Sequence, residues 1–241
     1  MNIAVCTTAI GPPNWRYVES IMGLRVPGRF TFKRVHGKDG VAGGHNRLIK
    51  WFLATDNDWM LHLDADACVH PYTLERLLSW DEPLVSALAF KRAAPYVPVV
   101  FIGETNRPGE FDIALDLVKT WAREHPDLLV MNKPALVHPR PDGALVAVDR
   151  TGAHCTLIHR CVFEAIEPPW FECSGKNAWC GSGSDFDFHA KALAAGFTSY
   201  VDLSVVAGHL NGDSSIGLLD FMAWDAVTEW ETKEITIPTE D

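Results

Sequence analysis

The chain has 241 residues, of which 47% are hydrophobic and 22% charged, a composition that excludes a disordered chain, a collagen-like repeat and a small disulfide scaffold. Its 31 acidic residues outnumber 21 basic ones, and the net charge of −10 does not favour nucleic acid as a partner. The N-terminus lacks a basic region before an apolar stretch, and no run approaches the roughly 20 apolar residues of a membrane helix. A soluble, cytoplasmic protein without a membrane span is therefore predicted.

Strands and helices alternate along the first 92 residues. Short apolar runs predict strands at 3–10, 30–35, 59–63 and 84–90. Apolar side chains at helical spacing predict a helix at 45–54, and Pro71 is typical of the first turn of another. This alternation predicts an α/β fold with a mostly parallel central sheet that is flanked by helices.

The second half of the chain is less regular. Its first part, 93–148, is interrupted by prolines and contains one predicted helix, 111–125. Further strands are predicted at 145–148, 155–158 and 199–206, and a helix led by Asp185 ends before Gly196. The tail, 211–241, is expected to pack as a closing helix. No repeat or linker divides the chain, so one domain spanning 1–241 is predicted.

Two carboxylates follow the apolar strand at 59–63. Asp64 and Asp66 are separated by one residue, and ligands of open α/β sheets bind at the carboxyl ends of strands. Two hard oxygen donors there can hold a divalent cation, which in turn neutralises the phosphates of a nucleotide. By itself the pattern is a weak signal, and two aspartates that cap the turn before Pro71 are the commoner explanation.

The surrounding sequence resembles the small, family-2-like glycosyltransferases of the GT-A fold, of the type found in phage and bacterial genomes. The resemblance extends over about residues 1–210 and rests on the order of its motifs. They are Asn46, Asp64-Ala65-Asp66, Pro71, Phe90-Lys91-Arg92, Thr151-Gly152-Ala153-His154, Leu157-Ile158-His159-Arg160, Pro169-Trp170-Phe171, Ser184-Asp185-Phe186-Asp187-Phe188 and Gly208-His209.

The resemblance implies a metal-dependent transferase that moves a sugar from a nucleoside diphosphate sugar, of the UDP or GDP type, to an acceptor hydroxyl. It implies that residues 1–92 bind the nucleotide and 93–210 the acceptor. Asp66 would coordinate Mn²⁺ or Mg²⁺, Asp64 would contact the ribose or reach the metal through water, and His209 would complete the ligands. A mixed carboxylate and imidazole set favours Mn²⁺ over Mg²⁺.

The same resemblance suggests a general base. Asp185 follows a glycine-rich loop at the start of a predicted helix, where the positive end of the helix stabilises an anion. The family commonly has Glu-Asp at this place, whereas this chain has Ser184-Asp185. Asp185 is therefore the predicted base, with Asp187 as the alternative. Inversion of the sugar is expected because the family mostly inverts.

The remaining expected contacts concern the donor and the acceptor. Thr7 and Thr8, at the end of the first strand, would begin the pocket for the nucleotide base. Asn46 would approach the donor phosphates, although the arginine that precedes it in the family is His45 here. Trp170 and Trp179 are tentative acceptor contacts, because indole faces stack on sugar rings.

Other functions stay open at this point. The departure at Ser184 is compatible with a non-catalytic nucleotide-binding or carbohydrate-binding protein on the same fold. A phosphatase of the haloacid dehalogenase type is disfavoured, because Cys68 stands where that class requires a hydroxyl residue. The acceptor can be a glycan, a lipid, a protein or a modified nucleic-acid base, the last being weakened by the acidic charge.

Overall fold

A computed structural model describes residues 1–38, 40–104, 111–126, 141–172 and 183–234. The strands in this part of the chain are β1 (Asn2–Ala9), β2 (Arg29–His36), β3 (Trp59–Leu63), β4 (Ala67–Cys68), β5 (Leu84–Ala89), β6 (Val100–Glu104), β7 (Phe111–Ile113), β8 (Leu145–Val148), β9 (Arg150–Thr151), β10 (Cys155–His159), β11 (Ser199–Asn211) and β12 (Ser214–Ile216). The helices are α1 (Trp15–Gly23), α2 (Gly40–Leu53), α3 (Thr73–Leu78), α4 (Leu115–Glu124), α5 (Arg160–Ala165), α6 (Ser184–Ala194) and α7 (Leu218–Glu234).

The central sheet has the strand order β12-β11-β5-β10-β3-β1-β2, and β4 and β8 also pair with β11. Strands β2, β1, β3, β5 and β11 run in one direction, and β10 lies antiparallel between β3 and β5. A small second sheet has the order β7-β6-β9. The predicted α/β class and mostly parallel sheet are confirmed, and the arrangement is compatible with a Rossmann-like fold.

Helices cover both faces of the central sheet. Alternate side chains of β1 enter different core clusters, because successive residues of a strand face opposite sides. Ile3 and Val5 pack with residues of α1 and α3, whereas Ala4 and Cys6 pack with residues of α2, α5 and α6. Burial on both sides explains why β1 is a continuous apolar run rather than an alternating one.

Several elements differ from the sequence expectations. Helix α1 was not predicted; the Asn14 side chain accepts a hydrogen bond from the N–H of Arg16 and caps it directly after the Pro12-Pro13 pair. Helix α4 begins at Leu115 rather than at 111, because Phe111–Ile113 pairs with β6 as a strand. Helix α2 begins at Gly40, within a glycine-rich stretch that is typical of a loop. Helix α7 confirms the predicted closing helix.

Within the described ranges, no helix combines the length and the apolar character needed to cross a bilayer.

Candidate active site

Strand β3 ends at Leu63 and delivers Asp64 to the carboxyl edge of the sheet. The N–H of Asp64 donates to the carbonyl of His154 at 3.0 Å, and the N–H of Ala67 donates to the carbonyl of Asp64 at 3.0 Å. This tight turn leads into β4, which pairs with the end of β11 and places Ala67 opposite His209. The turn therefore brings Asp66 to His209, which lies 143 positions later in the chain.

His209 is held in one tautomer. Its Nδ1–H donates to the carbonyl of Phe90 at 2.9 Å, so the lone pair is on Nε2, which lies 3.2 Å from Oδ2 of Asp66. The same Oδ2 accepts a hydrogen bond from Nη1 of Arg92 at 3.2 Å, on the exposed side of the site. The preceding Gly208 packs closely against β12, because a Cβ there would lie 2.0 Å from Oγ of Ser215 and would displace that hydroxyl.

A second histidine completes the group. Nε2–H of His154 donates to the carbonyl of Gly208 at 3.2 Å. Its Nδ1 lies 3.4 Å from Oδ2 of Asp64 and 3.9 Å from Oδ1 of Asp66. One donor atom from each of Asp66, His154 and His209 lies within 4.8 Å of the others, so these three residues can hold a metal ion. His154 was part of a predicted motif but was given no role from the sequence.

The two imidazoles are oriented as metal ligands usually are. Each uses one ring N–H on a backbone carbonyl and turns its other nitrogen towards a carboxylate, the arrangement that fixes a lone pair for a metal. A lone pair facing a carboxylate is repulsive unless a proton or a cation lies between them. A proton or a cation between the imidazole nitrogen and the carboxylate therefore stabilises this site.

Charges in the site act on one another. Burial acts to raise the pKa of Asp64, but the contact with His154 at 3.4 Å and the charges of His62 and His154 outweigh burial and lower that pKa to about 2. For Asp66, burial is likewise outweighed, by the contact with His209 and the charge of His154, and its pKa is lowered. Burial lowers the pKa of His154, yet the contact with Asp64 outweighs it and the net shift is upward.

Asp185 lies in the first turn of α6, against the 152–153 loop. Its Oδ2 accepts a hydrogen bond from the N–H of Ala153 at 3.2 Å. Burial, followed by the charge of Asp64, raises the pKa of Asp185 to about 6. Asp187 is half-buried in the same turn, and its backbone N–H donates to the carbonyl of Gly183 at 3.1 Å. Asp185 thus lies within the electrostatic influence of Asp64.

A cavity of about 600 Å³ lies beside the carboxylates. Its lining includes Ala65, between the two aspartates, together with Thr7. The other lining residues are mostly apolar: Ala9, Pro13, Tyr17, Val18, Ile21, Met22, Leu24, Val26, Phe30, Phe32 and Arg34. Thr8 points to the other face of β1, where its methyl group contacts Gly44 of α2. Of the two threonines expected at the base pocket, the structure places only Thr7 in this cavity.

Two other residues expected to contact the donor or the acceptor, Asn46 and Trp170, make hydrogen bonds within the chain in this structure. The Asn46 side chain donates to the carbonyl of Phe171 at 2.7 Å and accepts from its N–H at 3.1 Å. Trp170 is 5% exposed, and its indole N–H donates to the carbonyl of Phe163 at 2.8 Å. Trp179 lies outside the described residues.

No family model matches the chain, and no curated protein matches it. Among solved structures, the chain is similar to the crystal structure of A197 from STIV, with a TM-score of 0.59 and 13% sequence identity. The similarity covers 90% of this chain and 91% of that chain. At this identity the likeness concerns the arrangement of the backbone, so this chain and A197 share an α/β fold over nearly their whole length.

Proposed function

We propose that the chain is a metal-dependent glycosyltransferase of the GT-A fold, which transfers a sugar from a UDP or GDP sugar to an acceptor hydroxyl. The observation that carries the proposal is the Asp66, His154 and His209 group, oriented as metal ligands, beside a cavity and a carboxylate of raised pKa. The motif order of the sequence supports the same assignment.

The donor set fits a divalent cation. Carbonyl groups orient both imidazoles, and Asp66 contributes a carboxylate oxygen. Two nitrogen donors favour Mn²⁺ over Mg²⁺, which prefers oxygen ligands. A cation bound there supplies positive charge that stabilises the departing nucleoside diphosphate without a proton transfer.

Residues around the group have roles in holding the donor. The 600 Å³ cavity has room for the nucleoside, and its lining includes Thr7 and also Ala65, which lies between the two aspartates. Arg92 contacts Asp66 from the exposed side, with its own side chain 61% exposed. An arginine in this position can turn from the carboxylate to a donor phosphate and bind it with two hydrogen bonds.

Asp185 is the proposed general base. A carboxyl group with a pKa of about 6 is largely ionised at neutral pH and binds a proton more strongly than an ordinary aspartate. The N–H of Ala153 holds one of its oxygens, and the start of α6 favours its charge. The carboxylate accepts the proton of the acceptor hydroxyl as that oxygen attacks the sugar, which predicts inversion.

Thermal unfolding with UDP, GDP, CDP and dTDP, each with and without Mn²⁺, tests the donor class. A ligand at ~100 times its dissociation constant adds about 2.7 kcal/mol, which raises the midpoint of a chain of this size by several degrees. One nucleotide is expected to give a shift that requires Mn²⁺. The His209→Asn variant, whose amide can still donate to Phe90, is expected to lose the Mn²⁺-dependent shift. Absence of a shift with every nucleotide contradicts the proposal.

Catalysis is tested separately with Asp185→Asn. The variant is expected to keep the Mn²⁺-dependent nucleotide shift while release of nucleoside diphosphate from the matching sugar nucleotide falls by orders of magnitude. Asp187→Asn is the matched control, because it removes the same charge from the same helical turn. Unchanged turnover in Asp185→Asn removes this residue from the role of base. An equal loss in both variants assigns the effect to the helix terminus.

A further inference from the structure

A second group of histidines lies next to the site described above. His45 of α2 and His62 of β3 are 2% and 4% exposed, and their ring centroids are 4.4 Å apart with an interplanar angle of 82°. One donor atom from each of these histidines and from Asp64 lies within 4.8 Å of the others. None of these three residues belongs to the Asp66, His154 and His209 group.

The ring nitrogens of this second group are buried without partners. Neither ring nitrogen of His45 makes a hydrogen bond with the described residues, and Nε2 of His62 makes none with them either. Buried polar atoms are nearly always paired, so three such atoms at one place indicate a ligand. Nδ1–H of His62 donates to the carbonyl of Ala153 at 2.6 Å, which fixes the lone pair on Nε2 as in metal-bound histidines.

The geometry matches a single ion. When two imidazoles bind one ion at about 2.1 Å, each ring centroid lies roughly 3.2 Å from the ion, so the observed separation of 4.4 Å corresponds to a nitrogen–metal–nitrogen angle of roughly 90°. Both histidines, but not Asp64, line a small cavity of about 10 Å³ on the apolar side of the group, which is the space of one water-sized sphere. The rest of its lining is apolar and offers no competing hydrogen bonds: Leu48, Ile49, Met60, Ile158, Phe163 and Phe171.

We propose that His45, His62 and Asp64 form a second metal site, which binds a transition-series divalent cation such as Zn²⁺ or Co²⁺. Two imidazoles and one carboxylate are a ligand set that Zn²⁺ takes in proteins, whereas Mg²⁺ prefers oxygen donors. The site joins α2 to the end of β3, and it orients the backbone of Asp64 beside the proposed donor site. The inference goes beyond the proposed function and does not depend on it.

Three histidine-to-asparagine variants test the site. Asn places an amide near the position of Nδ1 and removes Nε2, so each variant can keep the hydrogen bond made by Nδ1. In His62→Asn that bond goes to Ala153, and in His209→Asn to Phe90. His189→Asn is the control, since His189 is buried, belongs to neither group and bonds to Ser199 through Nδ1. Chelator-stripped proteins are dialysed against Co²⁺ or Zn²⁺, and bound metal per chain is measured.

Wild type and His189→Asn are expected to bind two ions per chain, and His62→Asn and His209→Asn one ion each. If the donor site proposed above fails, wild type binds a single ion that disappears in His62→Asn and persists in His209→Asn. Metal content unchanged by His62→Asn overturns the second site. Should His62→Asn not fold, ¹⁵N spectra of wild-type histidine rings decide: Zn²⁺ must shift the ring signals of His45 and His62, and unshifted signals overturn the proposal.

Discussion

Replacing Asp185 with Asn is expected to stabilise the folded chain at neutral and alkaline pH. Burial raises the pKa of Asp185 from 3.8 to about 6, so the folded state disfavours the ionised form. At a pH above the pKa of the unfolded state, ionisation of Asp185 therefore lowers the free energy of unfolding. This loss grows as the pH rises and reaches its full size above the pKa of the folded state. The pKa values of the folded and unfolded states differ by about 2, which at about 1.36 kcal/mol per pKa unit corresponds to roughly 3 kcal/mol.

The effect is measured by urea unfolding of wild type and Asp185→Asn in the absence of divalent cations. The variant is expected to be more stable by roughly 3 kcal/mol at about pH 8 and by roughly 1 kcal/mol at about pH 4.5, because most of the wild-type carboxyl groups are then protonated in the folded state. The Asn side chain retains an oxygen that can accept from the N–H of Ala153, so the comparison isolates the charge.

Asp187→Asn provides the reference for charge removal in the same turn. Loss of an anion at a helix N-terminus costs about 0.3 to 1 kcal/mol, so this variant is expected to be slightly less stable than wild type. The reasoning fails if Asp185→Asn is destabilising at about pH 8, or if its stability difference from wild type is the same at both pH values. It then follows that burial does not penalise the ionised carboxylate.

Three further outcomes are expected. The rate of transfer should fall on acidification with a midpoint near pH 6, because the carboxylate of Asp185 becomes protonated there; a pH profile of kcat/KM that stays flat down to about pH 5 contradicts the assignment. Asn46→Ala should lower the free energy of unfolding by about 2 kcal/mol, since both backbone groups of Phe171 lose their partner, and urea midpoints check this. Gly44→Ala should cost about 1 to 3 kcal/mol, because the new Cβ meets the Thr8 methyl group at 2.7 Å, and Thr8→Ser in the same chain should recover part of the loss in a double-mutant cycle.

Much of the sheet could be predicted because burial on both faces leaves a continuous apolar run. Strands β3 and β5 are of this kind, and the structure has them within one residue of the expected limits. The antiparallel direction of β10 could not be predicted, since an apolar run has no polarity. Helix α1 was missed because its capping residue, Asn14, follows two prolines that indicate a turn.

The site was only partly accessible from the sequence. Asp64 and Asp66 stand out because two charges follow an apolar strand directly. His154 does not, because its role depends on β10 lying beside β3 and on the carbonyl of Gly208 across the sheet. His45 stands where the glycosyltransferases that the sequence resembles have an arginine, and its burial against His62 is a consequence of packing that spacing does not reveal.

The backbone of one residue, Ala153, connects three side chains of the site. Its carbonyl accepts a hydrogen bond from His62, its N–H donates one to Asp185, and the next residue along the chain is His154. A shift of the backbone at this residue displaces all three side chains together, so substitutions at these positions should be strongly epistatic. Residues on the wall of the 600 Å³ cavity, such as Met22 and Phe32, have no such tie. Variation in ligand preference, natural or selected in the laboratory, is expected to accumulate on that wall, whereas Ala153 and its three partners are expected to change together or not at all.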